Sequence, residues 1–227
     1  MTLITYIFAK VIYIDCINLI KMLGSKLRKK LEKRLEGTSS VIAKTGINPN
    51  VFSSIALVWA VLAAYFIANM DMVSGLIFVV LASVWDALDG SLARVSNRVT
   101  KFGNYMDAMI DRYVEIIILL GFAFSGFWIE SFLVVSGSLL VSYAKARTAI
   151  VAPIDNHDWP AIGERFDRLL LLVIAIIISI FLPDFTISEF KISTISFFLY
   201  LTAIVVYAGG IQRIAYAKEI IEKIGNK

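Results

Sequence analysis

The sequence has almost none of the side chains on which disulfide frameworks and histidine-based active sites depend. Its 227 residues include one cysteine, Cys16, which excludes an intrachain disulfide framework. That cysteine lies in an apolar run, as expected of a buried residue without a chemical role. The one histidine, His157, lies in a polar stretch, which argues against a catalytic triad or a histidine-ligated metal.

Charged residues are also scarce, and hydrophobic residues are abundant. Charged residues make up 18% of the chain and hydrophobic residues 59%, and the mean hydropathy is +0.79. This composition is unlike that of a soluble globular protein and predicts a polytopic membrane protein with one domain. The formal net charge of +4 suits anionic lipid surfaces and anionic substrates, but it is too small and dispersed to indicate nucleic-acid binding.

Long apolar segments predict the fold. Each approaches the roughly 20 residues that a helix needs to cross the hydrocarbon. We expect an all-α integral membrane protein with six transmembrane helices, preceded by an amphipathic interfacial helix. The predicted spans cover about residues 50–70, 74–95, 103–126, 129–151, 164–182 and 193–215. Residues 49–227 would form this domain, and residues 1–48 an N-terminal apolar segment followed by the juxtamembrane helix.

The N-terminal region is amphipathic over residues 23–36. Leu23, Leu27, Leu31 and Leu35 recur every four residues, and lysines and arginines cover the rest of the helix. This pattern is typical of a helix lying in the membrane interface, since a solvated charged helix would leave the leucine stripe unexplained. Residues 1–21 are apolar and suit an interfacial or re-entrant helix better than a cleaved signal peptide. Translation starting at Met22 is an alternative.

The distribution of lysine and arginine predicts the topology. Nearly all of these residues lie in segments 22–48, 94–101, 145–168 and 213–227. The turns at 69–74 and 127–130 have none, and 183–192 has only Lys191. Because cytoplasmic loops carry the excess of basic residues, both termini are predicted to be cytoplasmic, in a multi-pass protein of the cell membrane.

Four carboxylates stand out at the ends of the second and third predicted spans. Asp86 and Asp89 are three residues apart, and Asp107 and Asp111 are four apart, so each pair shares one face of a helix. Ionisable groups in or near a bilayer are costly and usually functional. Two facing pairs would repel each other unless cations lay between them, and an all-oxygen site suits Mg2+ or Mn2+. Pairing of these acids with arginines is the structural alternative.

The stretch Asp86-x2-Asp89-Gly90-x2-Ala93-Arg94-x8-Gly103-x3-Asp107-x3-Asp111 resembles the signature of the CDP-alcohol phosphotransferases. The resemblance implies that the acids bind two divalent cations, Mg2+ or Mn2+, which hold a CDP-linked lipid, and that CMP leaves. It implies a homodimer, with Asp111 as general base or metal ligand. Pairing with arginines explains neither the glycines nor the spacing. The residues implied to hold the CDP-lipid are Asn50, Gly90, Ala93, Arg94, Thr100 and Gly103.

A second group of polar residues lies near the predicted cytoplasmic ends of the last three spans. For any single cation, a positive-inside anchor is the better interpretation. As a set, these residues suit an acceptor that carries its own phosphate. The runs Ser-Tyr-x-Lys-Ala-Arg, Glu-Arg-x-x-Arg and Gln-Arg resemble those of the phosphatidylinositol-phosphate and archaetidylinositol-phosphate synthases. That resemblance implies an acceptor-phosphate site of Ser142, Lys145, Arg147, Arg165 and Arg213.

The expected reaction is transfer of a phosphatidyl-type group from CDP-archaeol or CDP-diacylglycerol to inositol 1-phosphate, in phospholipid biosynthesis. Glycerol 3-phosphate is the alternative acceptor, followed by an alcohol without a phosphate, such as inositol or serine. A divalent-cation or proton-coupled transporter is an alternative of another class. A transporter would spread its acids along a path through the membrane, whereas here they cluster at one end.

Overall fold

The computed structural model describes residues 49–95, 100–152, 162–187 and 190–225. The predictions for residues 1–21 and for the amphipathic helix at 23–36 therefore lie outside the described residues. So does His157. In the stretch from Asp89 to Val95 the helical backbone is described, but of the side chains only Leu92 is.

Within the described ranges the chain forms six α-helices and one short hairpin. The six helices occupy the six segments for which helices are predicted. They are α1 Pro49–Ala68, α2 Met72–Val95, α3 Lys101–Phe124, α4 Trp128–Val151, α5 Arg165–Phe181 and α6 Thr194–Gly225. Strands β1 Asp184–Ile187 and β2 Phe190–Ser193 pair antiparallel between α5 and α6.

The structure differs from the predicted pattern at α6 and at the hairpin. Helix α6 runs to Gly225, well past the predicted end near residue 215. Beyond residue 215 the sequence contains more charged residues, so its hydropathy falls. Some of these residues form ion pairs at i, i+4, such as Glu219 with Lys223, and such pairs stabilise the helix. The hairpin was not predicted. It is supported by the edge-to-face contact of Phe185 with Phe197 of α6 and by the Lys191–Asp184 ion pair.

In the described part of the chain, the helices pack side by side in a closed ring. Helix α1 packs on α2 and α3, α3 packs on α4, α4 on α6, α6 on α5, and α5 on α2. Small residues allow the closest approach. A Cβ on Gly121 of α3 would lie 2.6 Å from the Cα of Ala64 of α1, so only glycine fits there without a shift. Fully buried Ala56, Ala60 and Ala63 extend this α1 face.

Two of the described helices are long and apolar enough to cross a membrane by length and composition. They are α4 and α6. Helices α1 and α2 carry shorter apolar stretches, Phe52–Ala68 and Met72–Leu88. Successive helices run in opposite directions, so the ends of α2 and α4 lie on the same side as the starts of α3 and α5.

Candidate active site

Three of the predicted acidic residues meet where α2 and α3 approach each other. Asp86 lies near the end of α2, and Asp107 and Asp111 lie on consecutive turns of α3. One carboxylate oxygen from each lies within 4.8 Å of the others. We call these three residues the acid cluster. Their four-residue spacing on α3 aims both side chains at α2, as the sequence predicts.

Aromatic packing fixes the part of α2 that carries Asp86. The ring of the preceding residue, Trp85, stacks on Phe52 of α1 with a centroid separation of 4.6 Å. The Trp85 indole N–H donates to the backbone carbonyl of Phe52 at 2.9 Å. A stacked ring with a satisfied N–H has little freedom to rotate, so Asp86 leaves α2 in a fixed direction.

Capping by Thr100 fixes the start of α3. Its hydroxyl oxygen accepts a hydrogen bond from the backbone N–H of Gly103 at 2.9 Å, the usual arrangement at a helix N-cap. Asp107 follows one turn after Gly103, and Asp111 follows one turn later. Thr100 and Gly103 are both predicted to hold the CDP-lipid. In the structure they also fix the start of α3, next to the acid cluster.

Arg165 joins the acid cluster from α5. Its guanidinium lies 2.5 Å from Asp86 Oδ2 and 2.5 Å from Asp111 Oδ1. The side chains of all three are 18–19% exposed, so the contact is sheltered but open to solvent. A capping box between Glu164 and Asp167 sets the first turn of α5 and hence the direction of Arg165. The sequence predicts Arg165 on the acceptor side of the site, and the structure brings it into direct contact with the predicted metal ligands.

The donor set of the acid cluster suits a divalent cation. Carboxylate oxygens are the ligands that Mg2+ and Mn2+ prefer, and the spacing of these oxygens allows one ion to touch all three. Arg165 contacts two of the three carboxylates directly, those of Asp86 and Asp111. Asp89 falls on the same face of α2 as Asp86, three residues on, but its side chain lies outside the described residues.

The other predicted acceptor residues lie at the same end of the bundle, on α4 and α6. Arg213 is buried and donates from Nη1 to the backbone carbonyl of Val141 at 2.9 Å. Lys145 is partly buried and interacts electrostatically with Arg213, Arg112 and Glu164. The Ser142 hydroxyl donates to the carbonyl of Ser138 within α4 at 3.0 Å.

Arg147 differs from the rest of this set. It is exposed, whereas Lys145 is partly buried. Two residues along an α-helix correspond to a rotation of about 200°, so Arg147 and Lys145 face nearly opposite directions. The structure therefore does not gather Arg147 with Lys145 and Arg213.

A buried polar group one turn below the acid cluster was not predicted. Both Glu115 oxygens accept from the Arg168 guanidinium, with Nη2 at 2.8 Å from Oε2. The Ser138 hydroxyl donates to Glu115 Oε1 at 2.7 Å. Arg168 also donates to the backbone carbonyl of Gly163. We call this group the Arg168 network. One signal could have found it: Glu115 continues the four-residue spacing of Asp107 and Asp111 into an apolar segment.

Several predicted donor-side residues cannot be assigned contacts. The backbone of α2 carries Gly90, Ala93 and Arg94 past the acid cluster, and α1 carries Asn50 in its first turn, but their side chains lie outside the described residues. Their predicted roles remain predictions.

Comparison with known proteins agrees with this geometry. The family model for CDP-alcohol phosphatidyltransferases matches residues 47–217. An archaetidylinositol phosphate synthase from Pyrococcus horikoshii is 35% identical over 203 residues, covering 87% of this chain and 98% of that protein.

Two crystal structures of a phosphatidylinositol phosphate synthase from Mycobacterium tuberculosis share the fold, each with a TM-score of 0.64 and 19% identity. The one with CDP-DAG bound covers 81% of this chain and 92% of that chain. The one in complex with manganese and citrate covers 81% and 88%.

The family match covers the first five described helices and most of α6, and it includes every residue of the acid cluster. The protein is therefore membrane-associated and acts in phospholipid synthesis. From the acidic motif, its geometry and these relatives together, we conclude that this chain is an enzyme of the CDP-alcohol phosphatidyltransferase family.

Proposed function

We propose that the enzyme transfers a phosphatidyl-type group from a CDP-linked lipid to inositol 1-phosphate and releases CMP. The observation that carries this proposal is the contact of Arg165 with Asp86 and Asp111. Glu164, the residue before Arg165, interacts electrostatically with both Lys145 and Arg213, so the acidic, donor-binding half of the site lies beside the cationic half. An acceptor phosphate in the cationic half would hold the attacking hydroxyl beside the donor diphosphate.

The metal sites in this proposal are two divalent cations, Mg2+ or Mn2+. Asp86, Asp107 and Asp111 would hold them, together with Asp89 of the motif. Bound there, the cations would neutralise charge on the diphosphate and orient it. The fit of the donor set supports this, as does the manganese complex of the Mycobacterium tuberculosis protein.

Asp111 is proposed to accept the proton of the acceptor hydroxyl, unless it serves purely as a metal ligand. The hydroxyl oxygen forms a bond to the lipid-side phosphorus, the bond from that phosphorus to the CMP oxygen breaks, and the proton moves to the carboxylate. Asp111 is partly buried against Arg165, which would hold its carboxylate toward the acceptor side. Arg94 and the backbone at Gly90 and Gly103 would contact the CDP group.

The lipid donor is proposed to be CDP-archaeol, with CDP-diacylglycerol as the alternative. The Pyrococcus horikoshii relative, named as an archaetidylinositol phosphate synthase, supports the first choice and also inositol phosphate as acceptor. The CDP-DAG complex of the structural neighbour supports the second.

We further propose that all six helices cross the cell membrane, with both termini and the active site cytoplasmic, and that the enzyme is a homodimer. Large apolar side chains on the outer surface, such as Tyr65, Phe132 and Ile204, are exposed as expected for lipid contact.

A cysteine introduced into the 127–130 turn should react with an impermeant reagent only from outside the cell. Labelling from the cytoplasmic side would contradict this topology.

Glycerol 3-phosphate is the second candidate acceptor, because its phosphate would satisfy the same cations. A transporter is disfavoured, since the three acids lie within one small cluster at one end of the bundle and do not follow a path across it.

The test is CMP release by the purified enzyme with a divalent cation. CDP-archaeol and CDP-diacylglycerol would each be combined with inositol 1-phosphate, glycerol 3-phosphate, inositol and serine. The proposal predicts the fastest release with inositol 1-phosphate. Faster release with glycerol 3-phosphate would retain the cationic site but change the acceptor, and faster release with unphosphorylated inositol would reject the phosphate site.

A further inference from the structure

The Arg168 network joins three helices directly beneath the acid cluster. Glu115 comes from α3, Ser138 from α4 and Arg168 from α5, and the carbonyl of Gly163 lies in the turn before α5. Glu115 is 3% exposed and Arg168 1% exposed, so the pair is shielded from solvent. Arg168 therefore ties the start of its own helix to α3 and, through Glu115, to α4.

The Arg168 network lies one helical turn from the acid cluster on both α3 and α5. On α3, Glu115 follows Asp111 by four residues, and on α5, Arg168 follows Arg165 by three. Both separations are one helical turn, so the two arginines project from one face of α5 toward one face of α3. A shift of α5 that separates Arg168 from Glu115 must also move Arg165 relative to Asp86 and Asp111.

Stability alone gives a weak reason for this pair. Removing two charges from water costs about as much as their attraction returns, and apolar replacements of similar volume are often neutral or stabilising. A buried ion pair is better suited to specifying one arrangement among several of similar energy. Here the arrangement specified is the position of the first turn of α5, which carries Arg165.

We propose that the Glu115–Arg168 ion pair is a positioning element that holds Arg165 in register with the acid cluster. Arg168 and Glu115 touch no substrate in this proposal and act only through Arg165. The inference rests on the proposed function, because it uses the role of Arg165 toward a phosphorylated acceptor as its readout.

The test is a double-mutant cycle on the full-length purified enzyme. One arm replaces the pair with apolar residues of similar size, Glu115→Leu with Arg168→Met, which removes both charges of the pair together. The other arm is Arg165→Ala, and the third variant combines them. KM is measured separately for inositol 1-phosphate and for the CDP-lipid at saturating Mg2+, and the thermal midpoint of each variant is recorded.

Replacing the pair should raise KM for inositol 1-phosphate by about tenfold, the loss expected for one charge-assisted contact, and leave KM for the CDP-lipid within about twofold. In the Arg165→Ala background, replacing the pair should have no further effect on KM for inositol 1-phosphate. Independent, additive effects in the combined variant would overturn the positioning proposal. So would an equal rise in both KM values, since a general loosening of the bundle would affect both substrates.

Two further variants complete the design. Glu130→Gln is the matched control, because Glu130 also accepts a hydrogen bond between helices, from Ser196 at 2.6 Å, but at the opposite end of the bundle. It should change neither KM. If the apolar pair does not fold, Arg168→Lys keeps the charge and loses the two-pronged contact, and it should give a smaller rise that also depends on Arg165. An Arg168→Lys effect that persists without Arg165 would overturn the proposal.

The failure of this proposal can be distinguished from the failure of the proposed function. If Arg165→Ala alone leaves KM for inositol 1-phosphate unchanged, both proposals are contradicted. If that KM rises but the effects add, only the positioning proposal is contradicted.

Discussion

Helices α3 and α5 carry two neighbouring groups of ionised side chains with opposite properties. In the acid cluster, carboxylates outnumber Arg165, and the ion pairs are partly open to solvent. In the Arg168 network, one turn away, one carboxylate meets one guanidinium, both are buried, and hydroxyl and carbonyl groups complete the contacts. The first arrangement gathers carboxylate oxygens that one cation could touch together, and the second pairs its buried carboxylate with a guanidinium. This difference in exposure and pairing is what we expect between a site that binds ligands and a buried contact that holds its helices in place.

The largest expected effect comes from the acid cluster. Replacing Asp86 or Asp107 with Asn should abolish turnover, because a neutral amide is a poor substitute for a carboxylate facing a divalent cation. The thermal midpoint should change little, because relief of the repulsion among the acids offsets the weaker contact of Asp86 with Arg165. CMP release and thermal unfolding of each purified variant check this. Near-normal turnover at normal expression would contradict the metal site.

For the Arg168 network we expect the reverse: substitutions should lower the free energy of unfolding more than they lower turnover. Arg168→Met alone leaves Glu115 as an uncompensated buried charge, which costs about 3–5 kcal/mol of unfolding free energy. The paired replacement with Glu115→Leu should recover most of that loss. Unfolding in detergent with increasing denaturant measures both. If the single and paired variants were equally unstable, the charge would not be the cause.

The cationic half of the site should respond through substrate affinity. Arg213→Ala removes a buried guanidinium and should raise KM for inositol 1-phosphate about tenfold or more, the value of one charge-assisted hydrogen bond. KM for the CDP-lipid should change little. Arg147→Ala is the matched control, because Arg147 is exposed on the other side of α4. Steady-state kinetics with each substrate varied in turn measure both variants. A larger rise in KM for inositol 1-phosphate in Arg147→Ala than in Arg213→Ala would contradict this placement of the acceptor site.

The smallest expected effect lies outside both groups. Tyr207→Phe removes the hydrogen bond of 2.9 Å between the Tyr207 and Ser136 hydroxyls, which links α6 and α4. The loss should be about 0.5–1.5 kcal/mol of stability, with both KM values unchanged. A clear change in turnover would mean that substitutions anywhere in the bundle affect turnover, and not only those in the acid cluster and the Arg168 network.

The acid cluster could be predicted from the sequence because its geometry is mostly local. Asp107 and Asp111 share a face through their spacing alone, and the apolar segments around them predict the helices that carry them. The family signature then linked them to Asp86. The assembled structure agrees, and its oxygens converge within 4.8 Å.

Contacts between distant segments could not be predicted in the same way. Arg165 reaches Asp86 across 79 residues of sequence, and no local pattern says that it will touch the acids directly. Glu115 and Arg168 are 53 residues apart, and each alone resembles an ordinary charge in an apolar helix. The extension of α6 was missed for another reason: the hydropathy pattern predicts where a span ends, whereas a helix continues wherever its side chains still favour it.

The most direct test of the account is the chemical identity of the product. The enzyme would be incubated with CDP-archaeol, inositol 1-phosphate and Mg2+, and the extracted lipid analysed by mass spectrometry. The account predicts a lipid that retains the inositol phosphate group, formed in step with CMP, and its loss in Asp107→Asn. CMP release without such a product, or a greater yield from unphosphorylated inositol, would contradict it.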